Sequence, residues 1–201
     1  MAESLTDALP GSDISVELFR EMDIEHHPAF SAVIEEFVES GEVSRPTLLA
    51  AASAYLIEVA ALQVDVVILD ALFAYLPSLL AWGDTDEDII EFLVDISELF
   101  ANFDVFEVHL TGDLVAGLNR AGAREGGDWL TEQVKKISRY RNAPVIATTV
   151  DAAVYLDTLA RRAIRLLEQA PWEVAFCKAD RGASVVHSQA IEFLEPRLRR
   201  D

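Results

Sequence analysis

Asp70 closes the run Val66-Val67-Ile68-Leu69, and this placement is the first chemical feature of the chain. The run is apolar and β-branched, with one acid just ahead of it at Asp65. That is the pattern of a strand buried on both faces of a parallel sheet. The carboxyl ends of such strands face the ligand crevice of open α/β sheets, so a carboxylate there can meet a ligand. It can equally end the strand and cap the next helix. Arg20, Glu21 and Asp23 follow a shorter alternating segment, Ile14 to Phe19, which reads as a second strand. They can reach a ligand from that strand's end or form a solvated turn. Arg120 and Arg124 lie in a charged stretch that also holds Gly122, Gly126, Gly127 and Asp128. It reads as a mobile loop about 119–130. Guanidinium groups on a closing glycine-rich loop suit neutralisation of a transferring anion; two solvated surface arginines are the plainer reading.

Other candidates carry less. His26-His27-Pro28 suggests a metal at first sight. Adjacent side chains point apart, however, and no third ligand is spaced to join them, so no metal site is expected. His109 falls inside a strand pattern and reads as a packed, hydrogen-bonded residue. Cys177 is the only cysteine, which excludes an internal disulfide and a multi-cysteine metal site. It reads as a buried small hydrophobe. No Gly-x-Ser-x-Gly elbow occurs, and nothing suggests a Ser-His-Asp triad.

The elements that must hold these residues alternate. Strands are expected over Ile14–Phe19, Val64–Leu69, Val105–Leu110 and Val174–Lys178. Helices are expected over 2–9, 29–40, 47–62, 114–121, 129–140, 151–169 and 184–194, with another opening after Gly83-Asp84-Thr85. Thr85 and Asp88 form a capping-box pattern. Ala71 to Ala81 is apolar and reads as helical only up to Pro77, and 145–150 is ambiguous. Asp157 stands four residues before Arg161 on the clearest helix. Strands separated by helices of this length imply βαβ units and a parallel sheet flanked by helices, in one domain spanning 1–201.

The 201 residues are 51% apolar, enough for a sizeable core. Net charge is −19, with three lysines against thirteen arginines. That disfavours nucleic-acid and anionic-membrane surfaces, which need clustered cations, and the acid excess reads as solubility. No apolar run reaches the roughly 18–20 residues that span a bilayer, and the start has no signal-like stretch. A cytoplasmic protein is the simplest expectation.

The segments Val-Val-Ile-Leu-Asp (66–70), Val-His-Leu-Thr-Gly-Asp (108–113) and Leu-Asn-Arg-Ala-Gly-Ala-Arg-Glu-Gly-Gly-Asp-Trp-Leu (118–130), followed by helix, strand and helix, resemble the thymidylate-kinase-like group of P-loop kinases. The resemblance covers most of the chain through short motifs. It implies that Asp70 stands near nucleotide phosphates and magnesium, that Arg120 and Arg124 reach the transferring phosphoryl group, and that Arg20, Glu21 and Asp23 face the acceptor. The family often has arginine after the strand-end acid; here Ala71 stands there.

One part of the pattern is missing. No Gly-x-x-x-x-Gly-Lys-[Ser/Thr] string occurs, and none of the three lysines follows a glycine. The resemblance therefore implies a P-loop-kinase-like fold without its phosphate loop and first, central strand. That strand would lie between 66–70 and 105–110. Those two either pair directly or flank a slot. ATP and Mg2+ are expected as cofactors only if the loop is supplied, and the chain as written is expected to be inactive. The alternative is a non-catalytic relative used in binding or assembly, for which an exposed apolar edge and a homodimer are expected. An enzyme using Asp70 and Glu21 as acid and base is a weaker third idea.

Overall fold

The computed structural model describes residues 14–70 and 75–198. The expected helix at 2–9 lies outside them. Among the described residues there are four strands and eight α-helices. Strands β1 (Val16–Phe19) and β2 (Val66–Leu69) pair in parallel, in register from Val16 opposite Val66 to Phe19 opposite Leu69. Between them run α1 (Ser31–Ser40) and α2 (Arg45–Ala61). Strands β3 (Phe106–Thr111) and β4 (Glu173–Lys178) form a second parallel pair, from Phe106 opposite Glu173 to Thr111 opposite Lys178. The two pairs are separate sheets among the described residues, so β2 and β3 do not pair. The architecture is thus α/β with two small parallel sheets.

The remaining helices are α3 (Tyr75–Trp82), α4 (Asp86–Leu99), α5 (Leu114–Glu125), α6 (Trp129–Ile137), α7 (Thr149–Leu167) and α8 (Ala183–Leu198). None of the described helices is long and apolar enough to cross a membrane. Helix α7 is the hub, packing against α3, α4, α5 and α6. Its inward stripe of Ala152, Tyr155, Leu159, Ala163 and Leu166 recurs at helical spacing and is buried. The deepest side chains, among them Leu76, Leu79 and Leu80 of α3, Ile89 and Leu93 of α4 and Leu167 of α7, place the core between helices. All four residues of β2, by contrast, are only partly buried despite being apolar, with Val67 and Leu69 packed against the core.

Several boundaries differ from expectation, and two have a clear local cause. Pro77 lies in the first described turn of α3 rather than ending it. Proline is tolerated in a first turn because its missing N–H has no helical partner there. Helix α5 continues four residues past Ala121, to Glu125, because Ala121, Ala123 and Arg124 favour helix and the first left-handed glycine comes only at Gly126 (φ 73°). Other expectations match closely. Thr85 and Asp88 bond reciprocally as a capping box at the start of α4, and Asp157 pairs with Arg161 at 2.6 Å.

Candidate functional site

The ends of β1 and β2 bring several candidates together. The Asp70 N–H donates to the Phe19 carbonyl at 2.8 Å, extending the ladder and setting Asp70 beside the turn that begins at Arg20. That turn is a single 3-10 turn, Glu21–Asp23. The Asp23 carboxylate accepts the Arg20 N–H at 2.8 Å, so its local duty is to fold the turn. Buried Ile24 then pins the turn to the core. Asp70, Arg20 and Glu21 are exposed at this end. The Tyr75 phenol lies close enough to Glu21 that burial first, and the Glu21 charge second, push its pKa up. Arg20, Glu21, Asp23 and Asp70 therefore gather at one pair of strand ends, where ligands of parallel sheets bind.

At the opposite ends, these strands are closed by Ser15 and Asp65. The Asp65 carboxylate accepts from the Ser15 N–H and hydroxyl, each at 2.7 Å, and the Asp65 N–H donates back to Ser15 Oγ at 3.0 Å. The Ser15 hydroxyl, then its N–H, holds the Asp65 carboxyl below its usual range.

Arg120 and Arg124 sit on helix α5, not in a loop. They are four residues apart, hence on one face, and both are exposed. Arg124 Nε donates to Glu125 at 2.7 Å. The glycine-rich stretch divides into two functions. Gly126 and Gly127, at φ 73° and 52°, make the left-handed turn into α6. Gly122 allows close packing of α5 on α6: a Cβ there would lie 2.6 Å from Leu130 Cγ. The expected loop at 119–130 is a helix–turn–helix hairpin.

His27 is a packed residue. Its Nδ1 accepts the Ala29 N–H at 3.3 Å and its ring meets Phe19, Phe30 and Tyr55. Nε2 lies 3.4 Å from Glu58. Tyr55 closes this aromatic group. Burial, with help from Glu17, Glu58 and Asp23, pushes its pKa up to about 12.

Two clusters escaped the sequence reading. Arg45, at the start of α2, holds Asp88 at 2.8 Å and Glu91 at 3.1 Å, with Asp84 at 3.6 Å. Burial pushes the Asp84 carboxyl up, while Arg45 and Arg141 pull against it. This knot ties α2 to the entrance of α4. The second cluster lies on β3 and β4. Glu107 accepts the Trp172 indole N–H at 3.0 Å and faces His109 Nδ1 at 3.3 Å. The period-two series Glu107, His109, Thr111 in an otherwise apolar strand was the available clue.

A shallow cleft of about 440 Å³ lies on the α4–α7 seam, lined by Asp86, Ile90, Arg162, Arg165, Leu166 and Gln169 among others. Arg162 Nε is bonded to Asp86 across it, and none of its lining comes from a strand end. In comparisons with known proteins, no family model, curated protein or solved structure matches the chain.

Proposed function

We propose that this chain carries the acceptor side and the arginine hairpin of a nucleotide-kinase-type phosphotransferase. Its acceptor would be a nucleotide or another small hydroxyl compound. ATP and Mg2+ would serve as cosubstrate and cofactor only once a phosphate-binding loop is supplied. A cytoplasmic setting goes with this reading.

The observation that carries the proposal is the split sheet. Strands β2 and β3 stay in separate parallel pairs among the described residues, and β2 is only partly buried although it is Val-Val-Ile-Leu. The resemblance puts one strand, ending in the phosphate loop, between these two. The gathering of Arg20, Glu21, Asp23 and Asp70 at the ends of β1 and β2 supports an acceptor site there. Arg120 and Arg124 supply exposed guanidinium groups on a hairpin with a glycine turn. Phosphoryl transfer rests on positioning and charge neutralisation, and these residue types suit both. Without a row of loop N–H groups and a lysine for the β- and γ-phosphates, this chain alone binds ATP poorly and transfers no phosphoryl group.

A second reading is a non-catalytic binding or assembly protein. It is favoured by Val145, Val150 and Val154, which are 94%, 60% and 60% exposed along the entry and outer face of α7. It predicts a stable dimer by sedimentation. Calorimetric titration with ATP and magnesium separates the readings. The kinase-type proposal expects weak binding by the chain alone and at least about a hundredfold tighter binding, about 2.7 kcal/mol, when a strand and phosphate loop are fused ahead of residue 1. Tight, saturable binding by the chain alone, or no gain on fusion, would sink it.

A further inference from the structure

One face of the β3–β4 sheet gathers polar side chains that the kinase-type reading does not use. Side chains two apart on a strand share a face. Glu107, His109 and Thr111 of β3 therefore stand in register with Val174, Phe176 and Lys178 of β4. Contacts agree with that placement. The His109 and Phe176 rings meet edge to face with centroids 5.7 Å apart, and the Thr111 hydroxyl donates across to the Cys177 carbonyl at 3.3 Å.

Near the start of the strands, the Glu107 side chain is only 11% exposed. One carboxylate oxygen takes the Trp172 N–H at 3.0 Å, and the other faces His109 Nδ1 at 3.3 Å. A carboxylate can only accept, so in a neutral imidazole this contact calls for the hydrogen on Nδ1 and a lone pair on Nε2. Among the described residues Nε2 has no partner. Toward the carboxyl ends of the strands exposure rises: the His109 side chain is 22% exposed beside Phe176 at 38%, and Lys178, one step further along β4, is exposed. Lys178 is one of only three lysines in a chain of net charge −19. An acceptor and an aromatic edge thus lie side by side on one face, with a cation beyond them toward the strand ends.

We propose that this face binds a small ligand joining a flat ring with an N–H or O–H donor to an anionic group. The ring packs on Phe176, its donor bonds to His109 Nε2, and the anion lies at Lys178. Such a site needs neither magnesium nor a phosphate loop, so it stands or falls apart from the kinase-type reading.

Adenosine monophosphate without metal combines all three features and serves as the probe. Nuclear magnetic resonance of the 15N-labelled full chain reads the ring nitrogens directly. The expected result is hydrogen on Nδ1 of His109 in the free protein, followed by saturable shifts at His109 and Lys178 as the nucleotide is added. His109→Gln and Lys178→Ala are each expected to weaken binding at least about tenfold. Glu107→Gln, which keeps the size of the side chain and an acceptor for Trp172, is expected to weaken it while the protein stays folded. Hydrogen on Nε2 in the free protein, no saturable shift up to roughly 10 mM nucleotide, or unchanged affinity in both the His109 and the Lys178 variants would each overturn the proposal.

Discussion

Two tyrosines show how single polar atoms set the chain's stability. The Tyr155 hydroxyl is buried, with no hydrogen-bond partner among the described residues. An orphaned buried hydroxyl costs roughly 1–3 kcal/mol, so removing it is cheap. Tyr155→Phe is expected to leave stability unchanged or raise it by up to about 1 kcal/mol in urea unfolding. A loss greater than that would mean the hydroxyl is bonded. Tyr55 acts through pH. Its folded pKa of about 12 lies above the value of about 10 expected in the unfolded chain. A raised pKa favours the protonated form in the folded state. The contribution is therefore fully present below about pH 10 and is lost as pH rises through about 12. Melting temperature should fall across that window in the wild type and fall less in Tyr55→Phe. Identical alkaline profiles for the two proteins would contradict the assignment.

Among the elements, the α5–α6 hairpin makes the sharpest prediction. Gly122→Ala places a methyl 2.6 Å from Leu130 Cγ, a branch point that cannot swing aside freely. The intrinsic helix preference for alanine, about 1 kcal/mol, is expected to be outweighed by overpacking of about 1–3 kcal/mol. Adding Leu130→Ala should restore part of the loss, which a double-mutant cycle measures as a favourable coupling. Additive effects would show that the helices do not meet there. Much at this scale was legible in the sequence. Strand positions, the Thr85–Asp88 cap and the Asp157–Arg161 pair follow from local spacing, because each involves neighbours within four residues. The density of glycines points to a loop at the hairpin, whereas Gly122 serves packing inside a helix. The Arg45 knot and the Glu107–Trp172 bond were invisible for a different reason: their partners lie 43 and 65 residues away, and no local period announces such pairs. Of the candidate site, the cluster at the β1 and β2 ends was readable from strand-end logic. The polar face of β3 and β4 required the register between two strands that are distant in sequence.

For the whole molecule, the core lies among α2, α3, α4 and α7, while the described strands form two separate sheets and β2 is only partly buried. The Val66 and Asp70 N–H groups donate to β1, at Ser15 and Phe19. Alternation in a parallel ladder then turns the Val67 and Leu69 peptide groups toward the opposite edge. If that edge is the place of a missing central strand, its amides should report on the strand directly. Amide hydrogen exchange of Val67 and Leu69, read residue by residue, is the most direct test. The account predicts fast exchange in the chain alone and protection of at least about a hundredfold, about 2.7 kcal/mol, once a strand and phosphate loop are fused ahead of residue 1. Slow exchange in the chain alone, or exchange unchanged by the fused strand, would contradict it.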